Sequence, residues 1–224
     1  MDGWSWIEVP RIFGNLLVVA ASVVLHELGH GIMAFIFGDK TAQKSGRLSL
    51  NPVKHMDGFG TVILPVSLYL LKAPFLFGYA KPVPVNANSF RYPRLMMPLV
   101  AMAGPFVNIA LVMVSYSVLI NHVWATGSSE LLRDLLIFSV QINLVLAVFN
   151  AFPLPPLDGG HVLKALTPPA LMPLYRPLEK YGKFIVLLLF LTPQLCGYLN
   201  FDLHPLHWWI DNGVKLLKST LGIR

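Results

Sequence analysis

Long apolar runs separated by short polar stretches dominate the chain. Three runs, at about 12–37, 95–120 and 131–152, contain few charged residues. At a rise of about 1.5 Å per residue, a helix of this length crosses the roughly 30 Å of hydrocarbon in a bilayer. The pattern therefore predicts an all-α, multi-pass membrane protein in which these three runs are transmembrane helices.

The apolar character is weaker between and after these runs. Within the region 38–94, the stretch Thr61–Phe77 is short for a membrane span and contains two prolines and a lysine. The region 184–221 predicts C-terminal helices: an apolar one interrupted at Pro193, then an amphipathic one with tryptophans suited to a membrane interface. No internal repeat or second-domain linker is evident, so residues 1–224 are predicted to form a single membrane-embedded domain.

Composition supports a membrane protein. Of the residues, 55% are hydrophobic and 12% are charged, about half the charged fraction of a soluble domain. The net charge of +6 comes from basic residues scattered between apolar segments, which indicates contact with anionic lipid and gives no support to nucleic-acid binding. The single cysteine excludes an internal disulfide and a cysteine-rich metal site. No cleavable signal peptide is evident.

The first apolar run contains the sequence H-E-x-x-H, formed by His26, Glu27 and His30. On a helix the two histidines lie on one face, where both rings can bind one zinc ion while the glutamate acts as a general base. Ionisable side chains inside a membrane span are costly, which favours a metal site over a chance match. Structural pairing of these residues with a neighbouring helix is the alternative.

Two histidines leave the coordination incomplete, and the best candidate for a third ligand is Asp158. It follows the third apolar run in the stretch NAFPLPPLDGG, where prolines must break the helix. Gly159 and Gly160 are expected to let this backbone pack against the first helix. An ordinary surface turn is the alternative, because Pro, Asp and Gly are common turn residues.

Three blocks together resemble the site-2 protease family of intramembrane zinc metalloproteases. They are HELGH, AGPFVN at 103–108 and FNAFPLPPLDGG at 149–160, and the resemblance is to the compact members without extra domains. It implies a three-helix catalytic core, with zinc held between the first and third helices toward the cytosolic side. It also implies re-entrant or extended segments in the region 38–94.

The resemblance also implies a role for each residue of the motifs. His26, His30 and Asp158 would bind one Zn²⁺ per chain, and Glu27 would be the general base. Asn150 would assist by binding the substrate or the oxyanion, although an asparagine at this place can also cap a helix.

One zinc ion between the first and third helices needs both C-terminal ends on the same side of the membrane. Thr61–Phe77 is therefore predicted to re-enter or lie at the interface without crossing. The loops on the predicted zinc side are rich in Lys and Arg, whereas 121–130 has none, so that side is predicted to be cytoplasmic in a cell membrane. The side of the C-terminal tail stays open.

Four further polar residues could support the site or the packing of the helices. His161 could support Asp158 or only cap or lie at an interface, and His55 could gate the site or be an ordinary loop residue. Asn143 lies one heptad before Asn150 and is expected to support the structure, while Asn108 is expected to pack or hydrogen-bond between helices.

The predicted function is an intramembrane zinc endopeptidase that hydrolyses peptide bonds in or near transmembrane segments of membrane proteins. Its predicted partners are such substrates and the lipid bilayer. A catalytically silent adaptor that binds membrane helices is one alternative, although an intact Glu27 argues against it. A metal transporter is another, although its ligands would be expected on several spans or in repeats.

Overall fold

A computed structural model of the chain describes residues 8–63, 66–67, 70, 78–123, 129–199 and 204–223. Every regular element in these ranges is helical, which confirms the predicted all-α class. Three helices there are long and apolar enough to cross a membrane. They are α1 (Glu8–Ile36), α3 (Pro93–Val118) and α4 (Glu130–Asn150), and the short α2 (Thr41–Lys44) follows α1.

Local sequence signals account for where these helices begin and end. Pro93 opens α3, at a position where its missing N–H costs nothing. Ser129 caps α4 by accepting a hydrogen bond from the backbone N–H of Leu132. At its other end α4 stops at Asn150, just before the proline-rich loop 151–157.

The three long helices pack into one core, with α3 in contact with both α1 and α4. Gly29 allows α1 and α3 to approach closely, as expected for a side-chain-free position: a Cβ there would lie 2.8 Å from Val107 Cγ2 and 3.0 Å from the Ala103 oxygen. Arg11 on α1 pairs with Asp134 on α4 at 2.9 Å. Helix α1 of this core carries His26, Glu27 and His30.

The C-terminal end of α1 meets the N-terminal end of α3. Ala34, Phe90 and Val100 form one buried cluster there. The connection between α1 and α3 therefore leaves and returns at the same end of the helix core. Most of the predicted re-entrant stretch Thr61–Phe77 lies outside the described residues, and its first residues belong to a π-helical turn at Gly58–Ile63.

Among the residues described after the loop 151–157, three segments are α-helical: α5 (Asp158–Leu166), α6 (Met172–Leu199) and α7 (Pro205–Leu221). Helix α6 begins twelve residues before the predicted start at 184, because the amphipathic segment ahead of the apolar run is also helical. Trp209 of α7 donates its indole N–H to the Val148 oxygen of α4 at 2.8 Å, so α7 packs on the core.

Gly159 and Gly160 are expected from the sequence to let their backbone pack against α1, but the close approach that they allow is to the loop 151–157. The atoms closest to a Cβ at Gly159 belong to Ala151 and Phe152, and those closest to a Cβ at Gly160 belong to Leu154 and Pro155. These glycines instead let the loop 151–157 fold back tightly on the first turn of α5, and this turn carries Asp158.

Candidate metal centre

His26, His30 and Asp158 converge at one point between α1 and the start of α5. The two Nε2 atoms are 3.1 Å apart. Asp158 Oδ2 lies 3.1 Å from His26 Nε2, and Asp158 Oδ1 lies 3.3 Å from His30 Nε2. Both histidines are buried, and the aspartate side chain is 15% exposed. The predicted ligands thus lie together in the structure, although more than half of the chain separates His26 from Asp158 in the sequence.

The hydrogen bonds of the two rings leave both Nε2 atoms facing this point. His26 Nδ1 lies 2.6 Å from Asn108 Oδ1, and His30 Nδ1 lies 2.8 Å from the backbone oxygen of Val100. Both partners are acceptors, so each ring donates from Nδ1 and its neutral form presents a lone pair at Nε2. Two nitrogen lone pairs and a carboxylate in close contact require a positive charge between them.

The separations fit a metal ion. Ligand atoms about 2.0–2.1 Å from tetrahedral zinc lie roughly 3.3–3.4 Å apart, close to the three distances at this site. Asp158 Oδ2 has no hydrogen-bond donor among the described residues. This donor set of two imidazoles and one carboxylate suits zinc, and the same trio alone among the described residues forms a potential metal-binding group of three.

Gly104 of α3 forms one wall of the centre. A Cβ at this position would lie 2.5 Å from His30 Nε2 and 2.6 Å from His26 Nε2. The lack of a side chain therefore keeps the space around the two ligand nitrogens open. The AGPFVN block contributed to the family resemblance, but this role of Gly104 was not predicted, since helical spacing does not reveal which residue of a neighbouring helix faces the site.

The charge of Asp158 agrees with a cation site. Burial alone would raise the pKa of this carboxyl, but when the His26 and His30 rings carry a proton on Nε2 in place of a metal ion, their positive charge and hydrogen bonds lower the pKa to about 2. The group is therefore ionised at neutral pH and can act as a metal ligand without first losing a proton.

Glu27 points to a different partner from the two histidines. Its Oε2 accepts a hydrogen bond of 2.8 Å from the backbone N–H of Val83, in the irregular segment 78–86 between the π-helical turn and α3. That segment is also held by Arg47, which donates to the Lys81 oxygen, and by Asp39, whose Oδ2 accepts from the Asn86 N–H at 2.6 Å. One carboxylate oxygen of Glu27 thus anchors the segment 78–86 to α1.

The histidines, Glu27 and Asp158 line one cavity of about 520 Å³. Most of its other walls are apolar, with side chains from α1, α3, α4 and α6 and from the segment 78–86. A cavity of this lining suits an apolar ligand.

The other predicted residues fall into two groups. Asn150 and His161 line the cavity, although the amide of Asn150 donates to the Leu146 oxygen of its own helix at 3.0 Å and His161 is exposed. His55 does not line it, and its buried ring pairs through Nε2 with the Ser49 oxygen at 2.8 Å. Asn143 faces Asn108 at 2.7 Å, so the expected interhelical hydrogen bonding of Asn108 is confirmed.

Comparison with known proteins gives one matching family model and several relatives. The model of peptidase family M50 matches residues 120–192, a range that includes Asn150 and Asp158. No solved structure gives a significant match to the chain.

The chain is 39% identical over 198 residues to "Putative zinc metalloprotease YwhC" of Bacillus subtilis, which covers 86% of this chain and 87% of that protein. It is 28% identical to "Putative zinc metalloprotease Rip2" of Mycolicibacterium smegmatis, covering 92% and 78%. It is also 32% identical to "Putative zinc metalloprotease MJ0611" of Methanocaldococcus jannaschii, covering 67% and 69%.

Proposed function

The chain belongs to peptidase family M50, the site-2 protease family of membrane zinc metalloproteases, and on this basis we propose that it is an intramembrane endopeptidase. Its cofactor is zinc. The proposed substrates are membrane proteins, cut within or beside a transmembrane segment. The observation that carries the proposal is the meeting of His26, His30 and Asp158 beside Glu27 in one largely apolar cavity.

We assign zinc binding to His26, His30 and Asp158. Three protein ligands are typical of catalytic zinc sites, which keep a further position for water or substrate. When bound, zinc supplies Lewis acidity toward the scissile carbonyl and the attacking water. The protein holds both imidazoles in the orientation that this requires, because each Nδ1 is tied to an acceptor.

Glu27 is the proposed general base. It accepts a proton from the attacking water and passes it to the nitrogen of the leaving amine when the peptide bond breaks. Its hydrogen bond with Val83 keeps the carboxylate oriented while one oxygen is free to move this proton. Asn150 is proposed to turn its amide from the Leu146 oxygen toward the oxyanion formed on the substrate.

The walls of the cavity favour an apolar substrate segment. A transmembrane helix hides its amides in backbone hydrogen bonds, so the part to be cut must first unwind. The irregular segment 78–86 passes Glu27 and has Pro82 and Pro84, which disfavour helix. We propose that the unwound substrate backbone lies along this segment and pairs with it.

The membrane topology we propose places the metal centre on the cytoplasmic side. The centre joins His26 and His30, in the C-terminal half of α1, to Asp158, which follows the C-terminal end of α4. The loops at this end contain most of the basic residues. Arg11 and Arg133 lie near the opposite ends of α1 and α4, where Arg11 is paired with Asp134, and Lys215 and Lys218 lie on the part of α7 that packs toward the C-terminal end of α3. The basic residues at the zinc end are Lys40, Lys44, Arg47, Lys54, Lys81, Arg91, Arg94, Lys164, Arg176, Lys180 and Lys183.

A comparison of Glu27→Gln with the wild type tests the proposal. Each protein is expressed in cells from which the native copy has been deleted, and membrane fractions are searched by mass spectrometry for cleavage within transmembrane segments. We expect such cleavage products with the wild type and none with Glu27→Gln, while both purified proteins bind one zinc ion. Glu130→Gln, a change of an exposed glutamate at the far end of α4, is the matched control and should cleave normally.

The outcomes separate the proposed protease from its alternatives. A helix-binding adaptor would lose nothing in Glu27→Gln, and a transporter would show zinc flux with no cleavage products in any of the three strains. Cleavage that persists in Glu27→Gln would contradict the role of Glu27 as base.

A further inference from the structure

A chain of buried side-chain hydrogen bonds runs from α4 through α3 to His26. Asn143 on α4 donates to the Ser139 oxygen and to Ser22 Oγ, each at 2.9 Å. Asn108 on α3 donates to Asn143 Oδ1 at 2.7 Å, and His26 Nδ1 lies 2.6 Å from Asn108 Oδ1. Both asparagines are fully buried, and the chain connects all three core helices.

The direction of every bond in this chain follows from its first acceptor. The Ser139 carbonyl oxygen can only accept, so Asn143 must turn its NH2 group toward it and its Oδ1 toward Asn108. Asn108 must then present its NH2 to Asn143 and its Oδ1 to His26. His26 must therefore donate from Nδ1, which leaves the lone pair of Nε2 for a metal ion.

His30 reaches the same tautomer in a different way. Its Nδ1 pairs with a backbone oxygen, that of Val100, at 2.8 Å, so no side chain has to be oriented first. His26 instead depends on Asn108 and Asn143, whose amide oxygen and nitrogen would exchange places if the amide group turned by 180°. Only the complete hydrogen-bond chain selects one orientation of each amide. Substitutions at Asn108 or Asn143 should therefore change the tautomer and position of the His26 ring, whereas those of His30 should not change.

We propose that Asn108 and Asn143 are positioning residues of the zinc site, which select the Nδ1–H tautomer of His26 and hold its ring in place. The inference rests on the proposed function to the extent that His26 is a zinc ligand. Outer partners of metal-bound histidines typically affect metal affinity by about 10- to 100-fold. Asparagines that serve only to join membrane helices would affect stability but not affinity.

The experiment measures zinc affinity of the purified apoprotein in detergent by competition with a chromophoric chelator, and the visible spectrum after loading with Co²⁺. Asn108→Leu removes the acceptor for His26 and should weaken zinc binding by about 10- to 100-fold with an altered Co²⁺ spectrum. Asn108→Asp keeps an acceptor for Nδ1–H and should restore affinity to within about threefold of wild type, even though its thermal stability falls.

Asn143→Leu tests the remote part of the chain. Without Asn143, the amide of Asn108 can turn and its oxygen is no longer held toward His26 Nδ1. Zinc binding should therefore weaken, although residue 143 does not contact a proposed ligand. Val112→Ala is the control: this buried residue lies one turn from Asn108 on α3, and its truncation should lower the melting temperature without changing zinc affinity.

Each outcome decides the inference. Suppose that the wild type binds one zinc ion tightly and that Asn108→Leu has the same zinc affinity and Co²⁺ spectrum. The hydrogen-bond chain would then serve only to pack the helices, and the proposed function would remain intact. If Asn108→Leu does not fold, weaker zinc binding in Asn143→Leu than in Val112→Ala supports the inference, and equal binding overturns it. A wild-type protein that binds no zinc would overturn the proposed function itself.

Discussion

Glu27 Oε2 and the backbone nitrogen of Val83 are 2.8 Å apart, so the proposed base of the reaction also anchors the segment that borders the cavity. This hydrogen bond joins the segment 78–86 to α1 next to His26 and His30, and Val85 of the same segment packs on the cluster of Ala34, Phe90 and Val100. A substitution at Glu27 therefore has two separable effects, one on proton transfer and one on the position of the segment.

Glu27→Gln and Glu27→Leu should separate these effects. Glutamine keeps an oxygen that can accept from Val83, so the free energy of unfolding should stay near that of wild type while the cleavage rate falls by about 10²- to 10⁴-fold. Leucine leaves the Val83 N–H without a partner and should in addition cost about 1–3 kcal/mol of stability. Thermal unfolding in detergent, measured beside cleavage, checks both. Equal stability of the two variants would mean that the Val83 contact does not hold the segment.

Gly104→Ala should damage the metal centre although alanine is a better helix former than glycine. Its methyl group would lie 2.5–2.6 Å from both ligand nitrogens, so the rings must move apart. We expect zinc affinity, measured by chelator competition, to fall by at least about tenfold. Gly14→Ala is the matched control on α1, because its methyl group meets the mobile end of Leu135 and can be accommodated. Normal zinc binding in Gly104→Ala would show that the space beside the rings is not needed.

Asn150→Ala should affect the reaction but not the metal. If the amide stabilises the oxyanion, kcat should fall by about 10²- to 10³-fold, whereas zinc affinity should stay at the wild-type value. This pattern is the opposite of that expected for Asn108, whose substitution acts on zinc binding first. A variant that cleaves at the wild-type rate would leave Asn150 only its hydrogen bond to the Leu146 oxygen.

Stability should fall at low pH partly because of Asp39, which lies in the connection after α1. Although burial alone would raise its pKa, hydrogen bonds from Thr41 and Asn86 lower the pKa below the usual value. The sign follows from this direction: the stabilisation is complete above the pKa of the unfolded chain and is lost as pH falls through the lower pKa of the folded protein. Melting temperatures measured from pH 7 down to about pH 3 should therefore decline less steeply in Asp39→Asn.

The control for this measurement is Asp211→Asn, at an exposed position on α7. It should leave the acid decline of the melting temperature as in wild type. An Asp39→Asn protein whose melting temperature declines as steeply as that of wild type would show that the bonds to Thr41 and Asn86 do not stabilise the connection.

Much of this architecture was predictable because it depends on local spacing. A hydrophobic run of sufficient length predicts a membrane helix whatever surrounds it, and the three predicted runs correspond to α1, α3 and α4. The spacing of His26 and His30 places both rings on one face of α1 for the same reason. The proline-rich stretch predicted the end of α4 before Asp158.

The partners of these residues could be decided only by the tertiary structure. His26 and Asn108 are 82 residues apart, and their contact depends on how α1 and α3 are rotated about their own axes, which no local pattern records. The same holds for Gly104 beside the two rings and for Val83 beside Glu27. The sequence by itself determined which side chains could bind a metal ion; the packing of the helices decided which buried groups orient them, because those contacts join distant parts of the chain.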